Sequence, residues 1–410
     1  MRSVILIVGA LAAGILLGAG AGRVAPQVAV HSVGYIEPIG SLWLSALQMT
    51  IIPLLVSLLV TGIAAASDAA RAGRLATRSV ITFVVLLWGS AIFAALAMPV
   101  LLEMFPAPAA AAAALRSAAG GGAISQAVPA FADFLRSLLP SNPIAAAAND
   151  AVLPVIVFTT VFAFALTRLP PESRAPLTGV FRALGEAMLV VIGWVLALAP
   201  VGVFALGYAV AVKTGLAALG GLAHYIASVS SVGLLVGLSA FAVARFAGGL
   251  RLGIFLRAVV PAQAVAISTQ SSLASLPAML RSAAVLGIPS RRADVTLPLA
   301  VALFRVTGPA MNLAVAIYVA HLFGIALAPT TLAKGVAVAA TATLATVSLP
   351  GTISFITAVA PIAAAMGVPV APLALLVAVE TLPDIIRTVG NVTMDVAVTA
   401  AVSRAAEEEE

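Results

Sequence analysis

The sequence has no cysteine and only three histidines among its 410 residues. The absence of cysteine excludes disulfides, thiol chemistry and thiolate metal sites. The histidines, at positions 31, 224 and 321, are too far apart to match the spacing of metal ligands. Charged residues are also scarce, at 9%. These absences argue against an enzyme with a metal or thiol centre, and no cofactor is expected.

Hydrophobic residues make up 62% of the chain, and its mean hydropathy is +1.17. A soluble domain cannot bury so much apolar surface, so the composition predicts a polytopic membrane protein. The net charge is +6, but the basic residues are scattered singly between apolar runs. Nucleic-acid binding is therefore not expected. The apolar N-terminus could be a signal peptide, but the many later spans favour a retained first span.

Long apolar runs predict an all-α fold with eight transmembrane helices. Their approximate ranges are 4–22, 42–66, 80–104, 149–166, 187–212, 226–246, 295–325 and 373–404. The seventh is interrupted at 305–312, where Gly308-Pro309 is expected to break the helix. The Ala/Gly-rich stretch 107–128 predicts a loop on the far side of the membrane. Residues 129–142 predict a short interfacial segment.

Two more stretches, 258–280 and 333–366, are apolar at both ends and polar in the middle. Basic residues flank the first on both sides, which favours a re-entrant hairpin over a full crossing. Both stretches contain Ser-Leu-Pro, at 275–277 and 348–350. A unit of a polar-centred hairpin and an interrupted helix thus occurs twice, which predicts inverted repeats with a transport site at the membrane midplane.

The basic residues predict the orientation. With the N-terminus in the cytoplasm and both hairpins re-entrant, fourteen Lys and Arg lie inside, five outside and two within the membrane, which accounts for all 21. This distribution follows the positive-inside rule. The sequence thus predicts a multi-pass protein of the cell membrane with both termini in the cytoplasm.

The last span carries an unusual polar stripe. On a helix its members fall within an arc of about 100°; they are Glu380, Asp384, Arg387, Thr388, Asn391 and Asp395. Ionisable groups at membrane depth usually mark a substrate or ion path, whereas a soluble amphipathic helix does not fit the surrounding chain. Arginine can bind a carboxylate through two hydrogen bonds. The other interpretation of Arg387 is an internal ion pair with Asp384 or Glu380, and both can hold in different states.

These motifs resemble those of the dicarboxylate/amino acid:cation symporters, which include archaeal aspartate transporters and mammalian glutamate transporters. The resemblance covers nearly the whole chain. Its segments are QMTIIPLLVSLLVTGIAA (48–65), PSNPIAAAANDAVLPVIVF (140–158), STQSSLASLPAML (268–280), SLPG (348–351) and DIIRTVGNVTMD (384–395). The last of these is the most specific.

The resemblance implies roles for individual residues. Arg387 would hold a side-chain carboxylate of the substrate and Asp384 its amino group, while Thr388 and Asn391 would be further substrate contacts. The groups expected to contact the substrate's α-carboxylate are Ser271 and Ser272, together with the backbone around Pro350 and Gly351. Asp395 would bind sodium together with backbone carbonyls near Asn391 and in the seventh span.

The seventh span departs from the family motif Asn-Met-Asp-Gly-Thr, and two registers are open. If the motif is matched on Met311, the aspartate that serves a further sodium ion in the family becomes Asn312, and the threonine becomes Ala314. Matched without a gap from Thr296, these positions become Val306 and Gly308. Arg305 is an additional cation. It could pair with Glu380, offset a lost sodium charge or bind an anionic substrate.

The expected function is a secondary active symporter that moves an acidic amino acid or C4-dicarboxylate with sodium or protons. The resemblance implies an elevator mechanism in a homotrimer, with a scaffold at about 1–70 and 129–215 and a transport part at about 74–105 and 218–404. One alternative is a passive channel built on two opposed hairpins. Another is a membrane enzyme with Glu380 and Asp384 as its carboxylate pair, but no histidine, cysteine or metal cluster accompanies them.

Overall fold

The computed structural model describes residues 2–71, 73–118, 139–149, 151–214, 216–345 and 352–407. Within these ranges every regular element is helical, which confirms the all-α prediction. Two predictions fall outside them: most of the interfacial segment at 129–142, and the second hairpin tip with Pro350 and Gly351.

The helices of the first half of the described chain are mostly long and apolar. They are α1 (Arg2–Val24), α2 (Pro26–Gln48), α3 (Ile51–Arg71), α4 (Arg74–Met104), α5 (Ala109–Ala118), α6 (Pro143–Ala148), α7 (Val152–Leu166), α8 (Pro171–Ala197) and α9 (Ala199–Thr214).

The second half contains the interrupted elements. Its helices are α10 (Ala217–Ala242), α11 (Leu252–Thr269), α12 (Ser272–Val285), α13 (Ser290–Leu303), α14 (Thr307–Leu322), α15 (Pro329–Ala345), α16 (Thr352–Ala365), α17 (Leu373–Leu376) and α18 (Thr381–Glu407). Helix α10 runs on into a π-turn over Val243–Ala247, and a short 3-10 turn over Val377–Val379 follows α17.

By length and composition, six helical segments among the described residues could cross a bilayer. Two of them form the interior: of an apolar stretch of 18 residues in each, 89% is buried in the α13–α14 segment and 83% in the α18 segment, against 11% in the α8 segment. Large apolar side chains such as Leu16, Tyr35 and Trp194 are exposed on the outer helices. An exposed apolar exterior around a buried interior is what a lipid environment requires.

Two groups of helices pack closely within themselves, and α3 of the first also contacts α4 and α15. In the first, α1 and α2 pack along α9, and α3 packs against α7 and α8. A Cβ atom at Gly14 or Gly18 of α1 would collide with the backbone carbonyl of Phe204 or Tyr208 of α9. Glycine therefore allows the close approach of two helices that is common in membranes. In the second group, α10 packs along α18, and α4 along α14.

The first predicted hairpin is a helical hairpin in the structure. Helix α11 ends at Thr269, Gln270 has a left-handed backbone (φ 51°), and α12 begins at Ser272. The two helices pack against each other, and both contact α18. Helices α15 and α16 also pack together, and the segment between them lies outside the described residues. Whether either pair enters and leaves on one side of the membrane stays a prediction.

The interruption of the seventh span is present but lies earlier than the Gly-Pro pair suggests. Helix α13 ends at Leu303 and α14 begins at Thr307, so the break comprises residues 304–306. Pro309 is the third residue of α14, where its missing N–H costs no intrahelical hydrogen bond. The proline therefore helps α14 to begin rather than breaking it.

Two local predictions were wrong. Residues 109–118, expected to be a loop, form α5, because a run of six alanines has the highest helix propensity. The second span, expected at 42–66, crosses the boundary between α2 and α3. Helix α2 begins at Pro26. Its first half was not predicted as part of a span, because polar residues such as Gln27 and Glu37 lower the hydropathy of this segment.

Candidate substrate and cation site

The polar stripe of the last span faces the protein interior. Glu380 immediately precedes α18, and Pro383 occupies the first turn, where proline is tolerated. Every stripe residue is at most 9% exposed, whereas Leu382 on another face is 55% exposed. These buried residues are Glu380, Asp384, Arg387, Thr388, Asn391 and Asp395. The arrangement places ionisable groups where charge is costly unless it is paired.

Arg387 lies between two carboxylates. Its Nη2 atom is 2.6 Å from Oε1 of Glu380, and its Nη1 atom is 3.2 Å from Oδ1 of Asp384. The ion-pair interpretation of Arg387 therefore describes this state. The Nε atom of Arg387 is buried and has no hydrogen-bond partner among the described residues. The guanidinium is thus held by groups that an incoming carboxylate can replace.

Tyr225 of α10 completes the cluster and was missed in the sequence. Its hydroxyl donates to Oε2 of Glu380 at 2.8 Å, so both oxygens of this carboxylate are hydrogen-bonded. The ring is fully buried and meets Tyr318 edge to face at 5.4 Å. The one available signal was a tyrosine, one of only four in the chain, within an apolar span.

Asn391 ties α18 to the start of α14. Its Oδ1 accepts from the backbone N–H of Thr307 at 3.0 Å and lies 2.8 Å from the Thr307 hydroxyl. The same hydroxyl is 2.9 Å from the carbonyl of Arg387, so its single proton serves one acceptor at a time. Gly390 permits this approach, because a Cβ there would meet the Thr307 side chain. The Thr388 hydroxyl donates to the Asp384 carbonyl within its own helix.

The break at 304–306 carries two apolar side chains and one cation. Phe304 stacks on Phe83 of α4, with ring centroids 4.7 Å apart, and Val306 is buried. Arg305 is half-buried, yet its Nε and Nη2 atoms are buried and have no hydrogen-bond partner in the described part of the chain. The candidate ligand Asn312 lies inside α14, and its buried Oδ1 also lacks a partner there.

Asp395 is fully buried about two turns after Arg387. Neither of its carboxylate oxygens accepts a hydrogen bond from a described residue. Arg305 is the cation of the adjoining helix break, where Thr307, two residues further on, is hydrogen-bonded to Asn391, one turn before Asp395. In the described ranges no three His, Cys, Asp or Glu side chains converge as metal ligands. A hard cation here would depend on Asp395 and backbone carbonyls.

The serines of the first hairpin lie at the start of α12. Ser271 caps this helix, since its Oγ accepts from the N–H of Ala274 at 3.2 Å, and Ser272 is buried. No hydrogen bond joins either serine to the stripe among the described residues. The hairpin is fixed to α18 elsewhere, through a 2.9 Å bond from Gln263 to Thr393. Pro350 and Gly351 lie outside the described residues.

Comparison with known proteins gives a consistent result. The sequence pattern of the sodium:dicarboxylate symporter family matches residues 4–405. The chain is 28% identical over 305 residues to the proton/glutamate-aspartate symporter of Escherichia coli, covering 72% of this chain and 68% of that protein. It is 28% identical over 294 residues to C4-dicarboxylate transport protein 3 of Ralstonia nicotianae, covering 69% and 64%.

The name of a third relative contains sodium as well as the proton. The proton/sodium-glutamate symport protein of Bacillus subtilis is 27% identical over 312 residues, which cover 72% of this chain and 68% of that protein. The matched regions span between 64% and 68% of the length of the three relatives.

Proposed function

The chain belongs to the sodium:dicarboxylate symporter family, and we propose that it is a secondary active symporter for an acidic amino acid or a C4-dicarboxylate. The observation that carries the proposal is a buried arginine, Arg387, held between two carboxylates on an inward-facing helix. A guanidinium in this setting binds a substrate carboxylate through two hydrogen bonds at little extra desolvation cost.

Substrate binding would exchange partners within this cluster. A carboxylate of the substrate takes the guanidinium edge that Asp384 occupies, and the released Asp384 can then receive an ammonium group. A C4-dicarboxylate has no ammonium, so it leaves Asp384 without that role. The residues proposed for the remaining contacts are Thr388, Asn391, Ser271 and Ser272, with the backbone at Pro350 and Gly351.

Transport would be coupled to sodium or protons, the ions named for the relatives. Freed carbonyls for a cation occur where backbone is irregular, and in the seventh span that is the break at 304–306. This supports the ungapped register, in which Val306 replaces the family's aspartate and Asn312 is not a ligand. The stack of Phe304 on Phe83 then fills a place where oxygen ligands would be needed.

The proposed mechanism is an elevator in a homotrimer, with both hairpins re-entrant and both termini in the cytoplasm. Support comes from the two packing groups and from the contacts of α11 and α12 with α18. The absence of cysteine allows a direct test by single substitutions without background labelling. Arg281→Cys and Lys334→Cys should react with an impermeant thiol reagent from opposite sides of the membrane, and reaction from one side would contradict the two-hairpin topology.

Uptake by proteoliposomes tests the function itself. Radiolabelled aspartate and succinate should accumulate above the external concentration when a sodium or proton gradient is imposed, and an ionophore that collapses the gradient should abolish accumulation. Flux that only equilibrates the two sides, with or without a gradient, would favour the passive channel.

A further inference from the structure

After the Arg387 cluster is accounted for, two charged side chains are left at the stripe and the helix break. The described ionisable residues of the stripe and the helix break are three carboxylates and two guanidiniums. Glu380 and Asp384 both contact Arg387. The other two are Asp395 on α18 and Arg305 in the break, and neither takes part in the proposed substrate exchange.

Arg305 and Asp395 complement each other without touching. Both oxygens of Asp395 and two of the three guanidinium nitrogens of Arg305 are buried and lack hydrogen-bond partners among the described residues. The two side chains lie on neighbouring parts of the structure, because Thr307, two residues after Arg305, is hydrogen-bonded to Asn391, one turn before Asp395 on α18. An isolated buried carboxylate is strongly unfavourable, so the guanidinium supplies the balancing charge that Asp395 requires.

The neighbours of Arg305 hold its backbone in place. Phe304 is stacked on Phe83, Val306 is buried, and Thr307 is hydrogen-bonded to Asn391 of α18. Arginine stays charged at any physiological pH. The position therefore carries a fixed positive charge, attached to the same helix start that contacts α18.

We propose that the Arg305 guanidinium is the built-in counter-cation of Asp395, so that no sodium ion binds at this carboxylate in the native protein. A sodium ion beside Asp395 would find the carboxylate charge already balanced by Arg305. It would also be repelled by the guanidinium, and this repulsion is strong in a region of low dielectric constant. Phe304 and Val306 add no side-chain oxygen to replace its hydration shell. The pairing of Arg305 with Asp395 does not depend on the proposed symport. Its consequence does: if the protein is a symporter, coupling uses protons or a cation bound elsewhere.

Sodium binding without substrate tests this inference. Purified full-length protein is unfolded by heat in NaCl and in choline chloride of equal ionic strength. We expect the wild type and Asp395→Asn to show the same response to sodium, because no sodium ion at Asp395 stabilises the folded state. Arg305→Met removes the competing charge and should give a midpoint that rises with sodium concentration. Arg305→Lys keeps the charge and should behave like the wild type.

Further variants locate the effect. The double variant R305M/D395N should lose the sodium response of R305M, which would place that ion at Asp395. Arg305→Gln provides a second neutral variant if R305M does not fold. A sodium-specific rise in the wild type that Asp395→Asn removes would overturn the inference. Folded neutral variants without a sodium response would overturn it too.

This test and the test of function can fail separately. A chain that shows the expected sodium responses but transports neither aspartate nor succinate would disprove the proposed function and leave the role of Arg305 standing. If the wild type accumulates substrate and also binds sodium at Asp395, the proposed function stands and the role of Arg305 is disproved.

Discussion

Two arginines lie at the polar face of α18: Arg387 belongs to this face, and Arg305 lies in the neighbouring helix break. They are held in different ways. Arg387 makes close contacts with Glu380 and Asp384, and Tyr225 supports the first of these. Arg305 balances Asp395 through its charge but makes no hydrogen bond to it. The first arrangement consists of contacts that a ligand of the same chemistry can replace. In the second arrangement the charge of Asp395 is neutralised permanently, so a further cation gains little by binding there.

The largest expected effect comes from removing Arg387. Arg387→Ala removes the guanidinium that would pair with the substrate carboxylate, and loss of one partner of a buried charge pair typically costs about 3–5 kcal/mol. Because about 1.4 kcal/mol corresponds to a factor of ten, aspartate and succinate should bind at least about a hundredfold more weakly. Equilibrium binding of radiolabelled substrate measures this, with Arg182→Ala, an exposed arginine on α8, as the control. Unchanged affinity for both substrates would make Arg387 purely structural.

Removing the tyrosine hydroxyl should have a smaller effect. Tyr225→Phe deletes one hydrogen bond to the charged Glu380, and such bonds contribute about 1.5–3 kcal/mol. The variant should unfold at lower temperature or denaturant concentration than the wild type. Tyr35→Phe is the matched control, because Tyr35 is exposed. Equal stability of Y225F and Y35F would mean that Glu380 does not depend on this bond.

The smallest effect is expected at the link between the two regions. Thr307→Val removes the hydroxyl near Asn391 but keeps the backbone N–H bond, at a cost of about 0.5–1.5 kcal/mol. Substrate affinity should fall by about tenfold or less. Thr307→Ser restores the hydroxyl and should restore the affinity. A serine variant as weak as the valine variant would show that the hydroxyl alone is not sufficient, and that the methyl group beside Gly390 is needed as well.

The polar face of α18 could be predicted from the sequence because charge within a long apolar run is a local pattern. The same holds for the first hairpin, whose Ser-rich centre lies between basic residues, and for the interruption of the seventh span. Each depends on residues close together in the chain. The position of the break required the structure, because Pro309 starts a helix as readily as it ends one.

Contacts between distant helices could not be predicted in this way. Tyr225 and Phe83 lie in apolar spans whose sequences do not indicate which neighbour each side chain meets. The bond from Tyr225 to Glu380 joins residues 155 positions apart. The sequence offered three interpretations of Arg305, and only the packing of the helices allows a choice between them. Glu380 already has two partners, which leaves Asp395 as the carboxylate that Arg305 balances.

The most direct test of the contrast between the two arginines is the binding of radiolabelled aspartate to wild type, R387A and R305M over a range of sodium concentrations. We expect R387A to bind aspartate at least about a hundredfold more weakly than the wild type at every sodium concentration, and R305M to depend on sodium more strongly than the wild type does. If R305M instead loses aspartate as R387A does, and sodium does not restore it, Arg305 is a substrate ligand and the assignment of separate tasks is wrong.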